Sequence, residues 1–571
     1  MSLFSKQAIP ESRKPSILDA GFENLPTPYK TARKEEMDAD QFVARLTRLK
    51  GYPVRVVQEA AQLLSSINRV QVKSSKRLEL LNRIILTTYP MLATLYEKYQ
   101  REANNLPEGG ERRTALVACV EFAEQSSIGF KHIFKDFYSS SGFERQSEEL
   151  LEYAMRILEF LRLEQLLRAL RYQKLSSAGW KDANRVFFLI AKHKMYDVPV
   201  KLSGRIGYKD QTKKSRISLE STIRKVYLSI QFYGLLDIGT WPTRLFHVPL
   251  SYFDFLDEPM RIKSDSGAEL APGWLITYLG NPGPALFKRT PNVVSPSICI
   301  DYSPLYNMLV ADYESLAKMK FISAFDPQKI SVPLRSLSAE DRAPVLELML
   351  VKLRLRERKQ KRHAVFTNEI VRIYFGFREA YKLLLDLAEG ETSHAMEERR
   401  FSDTLAQSSA LLSDDENKYL AMHWNVMNFS TGGMLVSTEE SEFTNPIRIG
   451  QLIAFYPSKE AKLPMLGYVN RIHRQREKQV EMAVVRLSNS VETAAIQNEK
   501  ETGTGTGRPV FLSRNPDLKW SLIAQQRDQL VPGTPIKLSR ADGSRSPARL
   551  GEVILTQQEF VVFGISSPVL Q

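Results

Sequence analysis

The feature that most constrains this chain is a change of periodicity at one place. Residues 351–377, VKLRLRERKQKRHAVFTNEIVRIYFGF, begin as a dense cationic run and end as a strand. Between Val351 and His363, Lys352, Arg354, Arg356, Arg358, Lys359, Lys361 and Arg362 stand against Glu357 alone. Val365, Ile370, Val371, Ile373 and Tyr374 then carry the β-branched and aromatic character of a strand. Before this point apolar residues recur at three- and four-residue spacing, the period of a helix. After it they mostly alternate, the period of a strand. The expected fold is therefore multidomain α+β: a mostly helical N-terminal half of hairpins or a bundle, then antiparallel β-structure.

Length sets the subdivision. At 571 residues the chain exceeds one hydrophobic core. Residues 1–38, with Pro10, Pro15, Pro26 and Pro28 among charges, are expected as a flexible arm. Residues 39–196 are expected as a helical domain, kinked or broken at Pro90. Its punctuating loops hold Asn104, Asn105, Gly109 and Gly110, and then Ser139 to Gly142. Residues 197–345 mix helix and short strands in a pattern that names no architecture. Within them SLESTIRKVYLSIQFYGLLDIG is predicted as a helix capped by Ser218 or Ser221. A helix is predicted over 302–318, and Ser338 with Asp341 forms a capping arrangement for the next. Residues 351–490 read as a small β-barrel with a helical insertion at 378–422. Residues 491–507, which include ETGTGTG, read as a linker or exposed hairpin. A small β unit is expected at 508–571.

A formal charge of +14 favours anionic partners. The two cysteines, Cys119 and Cys299, give no disulfide framework, and the scattered histidines show no metal-site spacing. The N-terminal residues lack the apolar core of a signal peptide, and no run is long and apolar enough to span a membrane. A cytoplasmic protein is expected. There is no phosphate-loop lysine motif, no HExxH and no GxSxG, so the expectation is a non-enzymatic protein without metal or cofactor. The aromatic residues Phe122, Phe130, Phe134, Tyr138 and Phe160 read as core.

Two short motifs remain. Arg358-Lys359-Gln360-Lys361-Arg362 is RxxxR at the mouth of the first strand, and Asn428-Phe429-Ser430-Thr431-Gly432-Gly433 is NxSxxG between two later strands. Each alone is cheap: the basic run can be a solvated linker and NFSTGG a hairpin turn. Their order, their β context and the following Gly467, Val469 and Arg471 make the combination specific. It resembles the PilZ family, small β-barrels that bind the bacterial second messenger cyclic di-GMP, over roughly 351–490. The resemblance implies that Arg358 and Arg362 grip the ligand's phosphates and guanines while Asn428, Ser430 and Gly433 line the barrel against a guanine. All five positions match. The insertion at 378–422 and the helical N-terminal region depart from the family pattern.

The residue chemistry agrees. Guanidinium is planar, permanently charged and bidentate toward phosphate or guanine, and Asn and Ser offer short donors and acceptors to a base edge. Trp424 and Tyr374 lie near the motif but read as core. The resulting expectation is a bacterial cyclic di-GMP receptor of motility or biofilm regulation. Its regulatory ligand would bind where the helical region meets the barrel, reorient the domains and control an unidentified protein partner through the helical half. The alternatives are an interaction scaffold with a non-binding barrel, and a basic RNA- or DNA-binding protein. The latter is disfavoured by the absence of a row of surface aromatics on the strands.

Overall fold

The computed structural model describes residue 22, residues 25–28 and 30–31, and most of 38–566. Besides shorter gaps, the segments 103–109, 141–146, 202–219, 256–259, 265–273, 288–296, 320–330, 354–362, 365–368, 389–421, 499–506, 515–519 and 567–571 lie outside the described residues. The chain divides into two compact units, Met1–Glu357 and Arg358–Gln571.

The first unit is mostly helical. A short parallel pair, β1 (Lys30–Thr31) with β2 (Val70–Gln71), accompanies α1 (Ala39–Arg48), α2 (Pro53–Asn68), α3 (Ser74–Glu102), α4 (Gly110–Ser140), α5 (Ser147–Ala169) and α6 (Ser177–Lys192). Helix α4 packs against both α2 and α5. Local chemistry sets the ends. Asp38 accepts from the Asp40 N–H to start α1, Pro53 occupies the first turn of α2, and Ser176 accepts from the Gly179 N–H to start α6. At the end of α2 and just beyond it the buried Arg77 donates to the carbonyls of Ile67 (2.8 Å) and Val70 (2.9 Å), tying the helix end to β2. Pro90 does not break α3. The proline removes the donor to the carbonyl of Leu86, and Leu86 is exposed, so water can take that bond.

The same unit continues through β3 (Val200–Lys201), β4 (Glu220–Ser221), α7 (Ile223–Leu236), α8 (Val248–Asp254), β5 (Arg261–Ser264), β6 (Trp274–Tyr278), β7 (Leu286–Phe287), β8 (Ser297–Asp301), α9 (Ser303–Met319), α10 (Val332–Arg335) and α11 (Ala339–Leu353). The cap of α7 is Thr222, whose hydroxyl accepts from the Lys225 N–H at 3.2 Å; Ser221 is used in β4 instead, and Ser218 lies outside the described residues. Ser338 and Asp341 do form the capping pair of α11, with Arg244 held by the same aspartate. Strands β5, β8, β6 and β7 form an antiparallel sheet in that order. One core runs from Phe22 to Leu353 across the boundary expected near residue 196. It is joined by contacts such as the stacking of Phe187 on Tyr227 at 3.9 Å. Cys119 and Cys299 are buried and form no disulfide, and burial pushes the Cys119 thiol up to about 12.

The second unit holds two closed six-stranded antiparallel barrels. The first is built from β10 (Ile370–Phe375), β11 (Met422–Ser430), β12 (Gly433–Glu439), β13 (Leu452–Phe455), β14 (Met465–Arg474) and β15 (Gln479–Ser488). Around the ring the order is β10, β13, β14, β15, β12, β11, and β11 closes on β10; the short β9 (His363–Ala364) is added to β11. Alternation decides the core. Val371, Ile373 and Phe375 of β10 point inward, as do Trp424 and Val426 of β11 and Val480, Met482 and Val484 of β15.

The second barrel comprises β16 (Ser490–Asn498), β17 (Arg508–Arg514), β18 (Trp520–Gln525), β19 (Pro535–Arg540), β20 (Arg545–Thr556) and β21 (Phe560–Ser566). Residues 491–498 of the stretch expected as a linker thus belong to β16, paired on one side with β17 and on the other with β19, and residues 499–506 lie outside the described residues.

The expected helical insertion opens with α12 (Phe377–Ala388); residues 389–421 lie outside the described residues. Phe377, Ala380 and Leu384, one face of α12, are buried with Leu452 and Leu466 of the first barrel and Phe511, Ile523 and Phe560 of the second. Glu559, just before β21, fastens this arrangement. Its carboxylate accepts from the N–H of Phe377 at 2.7 Å and of Leu452 at 2.8 Å. Among the described residues no helix is long and apolar enough to cross a membrane, and no group of His, Cys, Asp or Glu is gathered to hold a metal ion.

Candidate functional site

The NxSxxG sequence is the hairpin between β11 and β12. Ser430 pairs with Gly433 where the chain turns back, with Gly432 exposed at the turn and Thr431 outside the described residues. The Ser430 hydroxyl donates to the Gly433 carbonyl at 3.2 Å, and the Arg486 N–H donates to the Gly432 carbonyl at 2.9 Å. Asn428 and Ser430 are half-buried and Gly433 is buried.

The glycine is required by close approach. A Cβ at Gly433 would stand 2.0 Å from the Val484 carbonyl oxygen, and φ there is +155°. Gly467, on the other neighbour of β15, meets the same constraint: its Cβ would lie 2.7 Å from the Val485 oxygen. Both glycines let a strand press against the end of β15, so backbone lies close to the surface beside the hairpin. Arg471 follows in β14, just past an irregularity in its pairing with β15.

The partner of β11 changes along its length. Residues Met422 to Asn425 pair with β10, whereas Asn428 pairs with Ala364 and Phe429 with His363 of β9. The register of β11 against β12 shifts between Val426 and Asn428, where the exposed Met427 bulges out. Strand β9 thereby lays the residue that follows Arg362 directly against Phe429. Arg358 and Arg362 themselves lie outside the described residues. An extended chain covers at most ~3.6 Å per residue, so both arginines originate within a few residues' reach of the hairpin.

Three of the five expected site residues, Asn428, Ser430 and Gly433, therefore sit together at one barrel end. The other two precede a strand that pairs there. Trp424 is fully buried against Phe375, with ring centroids 6.1 Å apart, as core. Sequence reasoning passed over Arg486, whose backbone holds the hairpin loop. Its signal was weak, a single cation inside the otherwise regular strand VEMAVVRLS.

Residues 40–244 match a family model described as the N-terminal domain of the cyclic-di-GMP receptor FimW. The match spans well under half of the chain and covers α1 through the segment after α7, none of it in the barrels. No curated protein and no solved structure matches the chain. In its helical first unit the chain is similar to the N-terminal domain of a cyclic-di-GMP receptor family.

Proposed function

We propose that this protein is a cyclic di-GMP receptor of the PilZ type, whose first barrel holds the ligand through Arg358, Arg362, Asn428, Ser430 and Gly433. The observation that carries the reading is the pairing of β9 with β11, which brings the strand behind the basic run onto the NxSxxG hairpin. The similarity of residues 40–244 to a cyclic-di-GMP receptor's N-terminal domain supports the same ligand from a part of the chain that shares no residue with the motifs.

In this reading the two guanidiniums take the ligand's phosphates and guanine edges, and the hairpin supplies neutral hydrogen-bonding groups and a close backbone. The basic segment is also the covalent link between α11 and β9. A ligand that orders it changes how the two units are joined, and so how the first unit is offered to a protein partner.

Calorimetric titration of the full chain with cyclic di-GMP tests the proposal. Binding is expected, and Arg358→Ala and Arg362→Ala should each weaken it by roughly tenfold or more, since a hydrogen bond to a charged group contributes about 1.5–3 kcal/mol. A wild-type chain that does not bind overturns the receptor reading. Binding unchanged by both substitutions overturns the site. Small-angle scattering with and without ligand tests the change in linkage; identical profiles speak against it.

A further inference from the structure

The second barrel has its own cationic feature, which the reading above does not use. Arg514 ends β17, Trp520 begins β18 and Arg540 ends β19. Around the closed sheet β18, β17, β16 and β19 follow one another, so these residues come from three of four neighbouring strands, with β16 between the two that carry the arginines. Both guanidinium carbons reach the same indole, Arg514 at 4.9 Å and Arg540 at 5.8 Å from the ring centroid. Trp520 is half-buried against the barrel core, so one part of the ring is fixed while the rest faces outward.

Three observations make this more than a decorated surface. The backbones are fixed: Arg514 pairs with Trp520 across the ladder, and its carbonyl accepts from the Ser488 hydroxyl at 3.0 Å. Arg540 pairs with Ala494, and its N–H donates to the Ser544 carbonyl at 3.0 Å. Neither guanidinium is paired with a carboxylate among the described residues, although two like charges converge on one ring. The Nε of Arg540 is buried and has no hydrogen-bond partner, a donor left unsatisfied at a cost that an acceptor would remove. A guanidinium held by its face on an indole keeps its in-plane N–H groups free, and these match the oxygens of a phosphate.

We propose that Arg514, Trp520 and Arg540 form a second, separate binding site for a phosphate-bearing ligand. The phosphate can belong to a free nucleotide or to a single-stranded nucleic acid, and the site does not depend on the first barrel's ligand. The test uses the full chain carrying Arg358→Ala and Arg362→Ala, so that the first barrel's arginines contribute nothing. Pyrophosphate, cyclic di-GMP and a twelve-residue oligothymidylate are titrated calorimetrically at low and moderate salt.

At least one probe is expected to bind, and adding Arg514→Ala with Arg540→Ala should weaken that probe by roughly tenfold or more. Binding of pyrophosphate or cyclic di-GMP identifies a small phosphate ligand. Binding of the oligonucleotide alone, falling steeply with salt, identifies a strand. If the alanine pair does not fold, as judged by circular dichroism, Arg514→Gln with Arg540→Gln keeps the stems and removes the charge. The proposal is overturned if no probe binds the background chain, or if binding persists in the folded double variant. Because the background already lacks Arg358 and Arg362, this failure is distinct from failure of the first site.

Discussion

The two barrels share strand number and antiparallel closure but differ in how closure is achieved. The second is nearly contiguous: its six strands fall between Ser490 and Ser566 and are joined by short connections. The first takes one strand, β10, from before α12 and the other five from beyond residue 421. Their interiors differ too. Trp424, Phe375 and Phe455 fill the first, whereas Ala494, Ala524, Ala548 and aliphatic residues with Phe563 fill the second. A barrel centred on large rings can tolerate close backbone approach at its end, which Gly433 and Gly467 provide. Among its described glycines the second barrel has no approach as close, and it carries a tryptophan with two arginines on its outside. The same architecture thus presents backbone at one barrel and cationic side chains at the other.

Substitutions can break or sharpen this contrast. The largest effect is expected at Gly433→Ala, where the new Cβ would collide with the Val484 carbonyl and separate β12 from β15. A loss of ~3–5 kcal/mol in thermal or denaturant unfolding is expected, as for strain forced into a buried backbone. Gly551→Ala in the second barrel, whose Cβ would lie 3.0 Å from the Gly564 oxygen, should cost roughly 1–2 kcal/mol. Equal losses would erase the distinction between the barrels.

Next in size is Glu559→Ala, which leaves two buried N–H donors without their acceptor and should cost ~2–4 kcal/mol. Calorimetry of the variant should then resolve two transitions for this unit, against a single one expected for the wild type. Glu559 also sets a pH dependence. Burial raises its pKa above the usual carboxylate value, against the lowering effect of the Phe377 and Leu452 N–H groups and of Arg448. The folded state therefore holds the proton more tightly than the unfolded chain. Relative to Glu559→Gln, wild-type stability should fall as pH climbs from the ordinary glutamate pKa through the raised one. A difference independent of pH would contradict that.

Smaller still is the pair of tryptophans. Trp424→Phe leaves a gap in the first core and should cost about 1–2 kcal/mol, whereas Trp520→Phe, at a half-buried site, should cost less than about 1 kcal/mol. The smallest effect belongs to Gly432→Ala: nothing lies within 4 Å of its Cβ, so stability should change by under about 1 kcal/mol.

Much of the fold was written in local pattern. The helices of the first unit, the capping pair Ser338 and Asp341, and the alternation in β10 and β15 follow from periodicity and side-chain chemistry that neighbouring residues determine. The failures are equally local in origin. SVETAAIQN gave a weak strand signal because its inward residues, Ala494 and Ile496, include an alanine, which strands disfavour; closure of the second barrel places it between β17 and β19. Thr222 outcompetes Ser221 as a cap because a short ladder already uses Ser221. Pro90 stays within a helix, and Leu86, whose carbonyl it leaves without a helical donor, is an exposed residue. The hairpin reading and the ligand reading of NFSTGG were never exclusive: it joins β11 to β12, and its Gly433 is demanded by Val484, which lies far off in sequence. Closure of β10 on β11 joins residues on either side of 389–421, and no window of sequence contains both.

That closure makes the first barrel divisible. Besides the short β9, which pairs with β11 outside the ring, strand β10 comes to it from the N-terminal side of α12, and it bonds to β13 on one edge and to β11 on the other. A chain cut anywhere in 389–421 would leave one fragment ending in β10 and α12 and another beginning with β11. Ring closure would then become an association between two molecules, and anything stabilising the barrel end beside the hairpin would be read as fragment complementation.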